Sequence, residues 1–301
     1  MPSSPANPRL VLASLIAVQF LFGINYIVSK IVVGVFPPLV WASIRIAIAT
    51  TIMLSVALIS RRPHPKASLS YFGPMVIYAL LGTIINQASF LVGLRYTTST
   101  NSAILNTLIP IFTLLVVTVR GQEPLTRTKG IGFIFAFAGV LILRKVEQFS
   151  LSDQTFVGDM LMVLNCLSYA LFLSYGKKFM VQHDPIWNTA WLFVYGTIGL
   201  TLLALPSYLE FTWPVMTPRL WYAASYAVIG ATLMTYFLNF WALKYAKPSQ
   251  VALFIYLQPV IAAGLGWYYF AESITLRTVL ASGFIFLGMV LGLQKKAVPP
   301  A

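Results

Sequence analysis

The chain has 301 residues, a formal net charge of +13, and 58% hydrophobic against only 9% charged residues. A soluble domain carries about 25% charged residues, so this composition cannot clothe a water-soluble globule and belongs in a bilayer. The basic residues lie in scattered pairs between apolar runs, without a basic stripe interleaved with aromatics, which argues against nucleic acid as a partner.

Apolar runs predict helices at roughly 10–34, 38–60, 71–94, 98–119, 128–143, 157–178, 186–208, 220–243, 248–270 and 275–293. These are predicted helices 1 to 10 in chain order. The first run, from Leu10 to about Val35, is too long for a signal-peptide core and lacks a small-residue cleavage pattern, so it reads as an uncleaved membrane helix. Breakers separate the runs: Pro37-Pro38, the Arg61–Pro65 segment, Glu123-Pro124, Asp184-Pro185, Trp213-Pro214 and Lys247-Pro248. The single cysteine, Cys166, excludes an intrachain disulfide.

The chain repeats itself. Residues 94–139 shifted by 149 positions fall on 243–288 with ten identities: Leu94/Leu243, Tyr96/Tyr245, Ala103/Ala252, Leu108/Leu257, Pro110/Pro259, Glu123/Glu272, Thr126/Thr275, Phe135/Phe284, Phe137/Phe286 and Gly139/Gly288. Each half, 1–146 and 147–301, then holds five helices. An odd number of membrane crossings duplicated in one chain places the second copy upside-down, as in inverted-repeat transporters. The expected fold is therefore all-α and integral to the membrane, with ten transmembrane helices in two inverted five-helix repeats.

Placing the N-terminus in the cytosol puts thirteen basic residues on that side: Arg9, Arg61, Arg62, Lys66, Arg120, Arg127, Lys129, Lys177, Lys178, Lys244, Lys247, Lys295 and Lys296. Six fall opposite: Lys30, Arg95, Arg144, Lys145, Arg219 and Arg277. The bias predicts both termini inside.

Several segments carry the marks of a family. They are Phe22-Gly23-Ile24-Asn25, Pro38 followed by Arg45, Gly93-Leu94-Arg95-Tyr96-Thr97, Ala103, Pro110, Glu123 and Gly139 in the first half. Tyr169-Ala170, Pro185, Ala242-Leu243-Lys244-Tyr245-Ala246, Ala252, Pro259, Glu272 and Gly288 follow in the second. In their order and spacing the chain resembles the drug/metabolite transporter superfamily and, within it, the bacterial EamA-type members. It departs from that pattern at Phe22, where a tryptophan is usual, and in lacking a second-half counterpart of Arg45; Leu192 stands there. The resemblance implies a bacterial inner-membrane carrier, similar to exporters of amino acids, aromatic ones among them, and of related metabolites. A proton-coupled drug efflux carrier is the alternative.

Polar residues recur at helical spacing: Gln19, Gly23, Tyr26 and Lys30; Trp41 and Arg45; Tyr78, Gly82, Asn86, Ser89 and Gly93; Ser102, Asn106, Pro110 and Thr113; Asn165, Tyr169 and Phe172; Asn188, Trp191 and Tyr195. Such stripes either glue helices by hydrogen bonds or line a wettable cavity. Their recurrence on most helices favours the cavity. Trp41, Tyr78, Tyr169, Trp191 and Tyr256 suit a flat or apolar body, and Asn86, Asn106 and Arg45 suit a zwitterionic head.

Arg45 is the one charge placed well inside a predicted helix. At that depth it costs at least ~2.5–3.5 kcal/mol, so it either meets an anion in a cavity or snorkels toward the nearby helix end. Pro110 and Pro259 either act as hinges or bend their helices for packing. Glu123 and Glu272 each precede a threonine able to cap the next helix, or form gating ion pairs. Gly132 with Ala136, and Gly288 with Gly292, pack the two terminal hairpins together or make a dimer face, so monomer and homodimer both stay open.

No carboxylate is expected in mid-membrane and both histidines sit in loops, which favours a facilitator over a proton-driven carrier. There is no P-loop, and no cofactor is expected. A membrane enzyme would need clustered Asp, His or Cys, and a channel would need rings of charges or carbonyls; neither pattern is present. The expected partners are a small-molecule substrate and the lipid bilayer.

Overall fold

In the computed structural model, residues 7–65, 68–97, 102, 105–143, 153–258, 260–261 and 275–293 are described. All the regular structure among them is helical. The helices are α1 (Pro8–Val33), α2 (Pro38–Ile59), α3 (Leu69–Tyr96), α4 (Leu108–Val119), α5 (Arg127–Leu143), α6 (Asp153–Gln182), α7 (Pro185–Tyr208), α8 (Pro218–Tyr245), α9 (Pro248–Leu253) and α10 (Leu276–Leu293). Seven of these are long and apolar enough to cross a membrane: α1, α2, α3, α6 from Phe156, α7, α8 and α10. α4 is a shorter apolar helix, and much of predicted helices 4 and 9 lies outside the described residues.

Sequence punctuation sets the helix starts. Asn7 caps α1 by accepting from the Arg9 amide at 3.0 Å. Asp184 caps α7 through the amides of Ile186 and Trp187, with Pro185 in the first turn. Thr217 does the same for α8 through Leu220, and Pro218 follows it. In each case a side-chain oxygen satisfies amides that the first turn leaves without partners. Large apolar side chains stay exposed along the helices, among them Ile52, Leu115, Ile134, Leu202 and Val290. A surface of that kind is matched by lipid tails rather than water.

Two departures from regular helix have no forewarning in the sequence, and a third falls at the prolines expected to bend their helices. α3 and α8 each contain a π-helical turn, Leu80–Ile85 and Ile229–Met234. These positions are 149 residues apart, the offset of the sequence repeat. A widened turn releases carbonyls from the ordinary ladder. In α3 they are taken by neighbours: Ser168 donates to the Leu81 carbonyl and Tyr236 to the Gly82 carbonyl at 2.7 Å. Gly82 also lets α6 approach, since a Cβ there would lie 2.6 Å from the Phe172 ring.

The third departure precedes the two prolines. The helix is broken into a turn at Asn106–Thr107 and into a 3₁₀ turn at Phe254–Tyr256, again one repeat apart. Proline cannot donate to the fourth preceding carbonyl and crowds it, so the break falls there. Pro110 therefore sits in the first turn of α4, not mid-helix. Pro259 lies outside the described residues. The Leu105 carbonyl beside the first break accepts from the Cys166 thiol at 3.3 Å.

Repeat-related helices pack on each other antiparallel. α2 meets α7 through Ser43 with Tyr208 and Thr50 with Thr197. α5 meets α10, where a Cβ on Gly288 would lie 2.4 Å from the Ala136 amide and one on Gly139 2.7 Å from the Ala281 carbonyl. The glycine faces of these two helices are thus occupied within the chain. α3 packs on α6 and α8 on α1, a second matched pairing.

Candidate functional site

A cavity of about 770 Å³, its open mouth included, lies in the middle of the bundle. It is lined from α1 by Phe22, Asn25 and Tyr26, from α2 by Arg45, and from α3 by Asn86, Gln87 and Phe90. Asn106 and Ile109 come from the α4 segment, and Asn165, Tyr169 and Phe172 from α6. Ala231, Tyr236, Asn239 and Phe240 come from α8, and Ile255 and Gln258 from the α9 segment. α5, α7 and α10 contribute nothing to this lining.

The repeat runs through the lining. Gln87 and Tyr236, Phe90 and Asn239, Asn106 and Ile255, and Ile109 and Gln258 are each one repeat apart and all face the cavity. Amide chemistry on one side is answered by an apolar group on the other in three of these pairs. The remaining pair opposes an amide to a phenol.

Two hydrogen-bond chains order the walls. In the first, Arg45 Nη2 donates to Gln87 Oε1, Gln87 Nε2 donates to the Tyr236 hydroxyl at 2.9 Å, and that hydroxyl donates to the Gly82 carbonyl. In the second, Asn106 Nδ2 donates to the Tyr26 hydroxyl at 2.6 Å, which donates to Gln258 Oε1 at 3.2 Å. Gln258 Nε2 then reaches Gln19 Oε1 at 2.8 Å. Asn165 donates to the Asn86 carbonyl and Asn239 to the Tyr169 hydroxyl. No acidic residue is among the described residues that line the cavity.

Of the residues singled out from sequence, the cavity gathers Arg45, Asn86, Asn106 and Tyr169. Trp41, Tyr78, Trp191 and Tyr256 are placed elsewhere. Trp41 packs on Phe36 at 5.4 Å between ring centroids, and Trp191 meets Phe72 edge-on at 4.8 Å. Tyr78 donates to the Tyr175 carbonyl and lies against Phe179. Tyr256 is turned toward Phe133 of α5. Gln87, Tyr236, Asn239 and Gln258 were not selected from the sequence. Sliding the first-half stripes by the repeat offset misses them, since Gly82, Asn86 and Asn106 fall on Ala231, Thr235 and Ile255; the available signal is the helical spacing of Tyr236, Asn239 and Phe240.

At one end of the bundle four cavity-lining helices are tied together. Glu123, 3% exposed just beyond α4, accepts from the Ser249 amide at 3.2 Å, from the Ser249 hydroxyl and from Lys129. Its carboxylate thus caps α9 across the repeat boundary. Thr126, expected as the cap of α5, accepts from the Lys129 amide. Lys177 of α6 donates to the carbonyls of Leu243, Lys244 and Ala246 at the end of α8. Arg120 and Gln122 both reach the Ser174 carbonyl. This latch lies one to two helical turns past Phe172 and Phe240 of the cavity wall. Glu272, the repeat counterpart of Glu123, lies outside the described residues. Asp159 is buried near the start of α6, where it accepts from Thr97.

Apolar spans around a cavity lined by amides and aromatic rings mark a multi-pass membrane protein. The EamA-like transporter family matches residues 9–145 and again 156–293, and the chain belongs to that family of membrane transporters, within the drug/metabolite transporter superfamily. It is 30% identical over 238 residues to an uncharacterized transporter of Archaeoglobus fulgidus, covering 78% of this chain and 81% of the relative. It is 23% identical over 278 residues to the uncharacterized transporter YyaM of Bacillus subtilis, covering 89% and 88%. The WAT1-related protein At5g07050 of Arabidopsis thaliana is 25% identical over 281 residues, covering 81% and 70%. A solved crystal structure superposes with a TM-score of 0.76 at 14% identity, covering 96% of this chain and 97% of the other, which speaks to the fold alone.

Proposed function

We propose that this transporter exports, or facilitates diffusion of, amino acids and related small metabolites by alternating access. The observation that carries the reading is the central cavity lined by repeat-related positions from both halves. Amides, phenols and one guanidinium offer donors and acceptors for a zwitterionic head, and Phe22, Phe90 and Phe240 offer apolar surface for a side chain.

In this reading residues 1–146 and 147–301 are two five-helix halves, inverted with respect to each other and crossing the membrane ten times. The antiparallel pairing of α2 with α7 and of α5 with α10 supports it, because a two-fold axis in the membrane plane places equivalent helices antiparallel. Transport rocks the α3–α4 segment against α8–α9, and the paired breaks before Pro110 and Pro259 are the hinges. The latch at Glu123 holds one end shut. Both termini face the cytosol of a bacterial cell whose inner membrane holds the protein, as a monomer or homodimer. An acid-free lining favours flux down the substrate gradient.

Purified protein in liposomes tests this against a panel of radiolabelled amino acids. Flux that follows the solute gradient without ATP is expected. Uphill accumulation driven by a pH gradient alone would replace the facilitator with a proton-coupled carrier, and absence of flux for the whole panel would overturn the substrate class.

A further inference from the structure

We infer that Arg45 is the docking point for a substrate carboxylate, so that the carrier takes small monocarboxylates and rejects amines that lack an acid group. The inference rests on the transport reading above and narrows its substrate.

Arg45 is 1% exposed yet lines the cavity. That removes snorkelling as its explanation, because a snorkelling guanidinium reaches water at the helix end. A buried arginine is ordinarily balanced by a carboxylate. Here the one protein acceptor it meets among the described residues is the neutral Gln87 amide, and its Nε is buried with no partner. Two ion pairs among the described residues, Arg62–Asp184 and Lys129–Glu123, lie at helix ends, and none of their members lines the cavity. The site therefore carries an uncompensated positive charge with unused donors on a planar fork. That geometry matches a carboxylate, which accepts two parallel N–H bonds.

The fork is also held in place. Gln87 fixes one nitrogen, Tyr236 fixes Gln87, and the Gly82 carbonyl released by the π turn fixes Tyr236. A donor fixed before the ligand arrives loses little freedom on binding. The repeat argues against a scaffold role. The second half builds the equivalent helix, α7, with buried Leu192 seven residues after Pro185 where α2 has Arg45 seven residues after Pro38, so the helix pair does not need the charge. Arg45 is the single cation among the described residues lining the cavity, which suits a monoanion better than a phosphate dianion. An ammonium finds no acid there, only amide oxygens and ring faces.

Two measurements test this. The first compares benzoate with its uncharged isostere benzamide as stabilisers of the detergent-purified wild-type protein. Benzoate should raise the melting temperature more than benzamide does, and the difference should vanish in Arg45→Gln. Equal effects on the wild type, including no effect from either, would overturn the anchor without relying on any variant.

The second measures liposome flux of L-phenylalanine, 3-phenylpropionate and phenethylamine. The acids should move and the amine should not, with KM for the acids raised at least ~10-fold by Arg45→Gln. Phenethylamine flux equal to that of the acids, or an unchanged KM in Arg45→Gln, would overturn the anchor and leave the carrier standing. A benzoate-specific shift with no flux of any of the three compounds would do the reverse: it supports the anchor and removes the amino-acid-like carrier reading.

Discussion

The two halves of the chain share their backbone irregularities and differ in chemistry. The π turns of α3 and α8 and the helix breaks before Pro110 and Pro259 recur at the repeat offset of 149 residues. The side chains presented to the cavity do not recur: Phe90 corresponds to Asn239 and Asn106 to Ile255, and α7, aligned with α2 from its first proline, has Leu192 in the place of Arg45. Under the proposed alternating access, bends and released carbonyls are what two exchangeable halves need in order to move in equivalent ways. A bound solute is not symmetric, so under that proposal the lining can diverge while the hinges cannot. The proposal thus assigns movement to the duplicated backbone and binding to the unduplicated side chains.

The largest effect is expected where the halves interlock. Gly288→Leu forces a side chain into a place where even a Cβ would sit 2.4 Å from backbone, and a helix seam cannot yield there, at a cost of roughly 3 kcal/mol or more. The variant should lose its monodisperse peak in size-exclusion chromatography. Gly283→Leu, five residues away on the same helix, has nothing within 4 Å of a Cβ and should stay folded. Equal behaviour of the two variants would show that the α5–α10 seam is not the contact described.

Next in size is a matched pair in the cavity. Asn106→Ala removes the donor to Tyr26 and should lower transport kcat/KM by about tenfold, as for loss of one buried hydrogen bond. Its repeat counterpart, Ile255→Ala, should change it by less than about threefold, because it removes only part of an apolar wall. Equal losses would mean that the halves contribute alike and would break the comparison. A smaller effect is expected from Trp191→Ala. This residue packs on Phe72 outside the cavity, so the melting temperature should fall while KM stays within about twofold.

The repeat, the helical class and the polar faces of α3, α4 and α6 were legible in the sequence, since spacing and composition carry them. Arg45, Asn86, Asn106 and Tyr169 stood out because amides, phenols and charges are costly in a bilayer and must be used. Trp41, Tyr78 and Trp191 share helical spacing with polar neighbours and Tyr256 offers a ring, but spacing does not say which neighbour a ring faces. Tyr78, Trp191 and Tyr256 pack against other helices, and Trp41 packs on Phe36 in the α1–α2 connection. The π turns left no local trace, because no residue type calls for a bond across five residues. In α3 the long-range donors Tyr236 and Ser168 take up the freed carbonyls. The latch is half visible in the sequence: Thr126 is a cap for α5 and Glu123 a candidate for an ion pair, but nothing there shows that the carboxylate also caps α9, more than a hundred residues away.

The central claim is that the cavity is a solute path closed at the Glu123 end in this conformation. Ile109→Cys, in a Cys166→Ala background, puts the sole thiol on the cavity wall. In sealed liposomes of defined orientation, an impermeant thiol reagent should reach position 109 from the face opposite the latch. The latch face should admit it only after Glu123→Gln weakens the tie to Lys129 and Ser249. Equal labelling from both faces with Glu123 intact, or labelling from the latch face alone, would contradict the account.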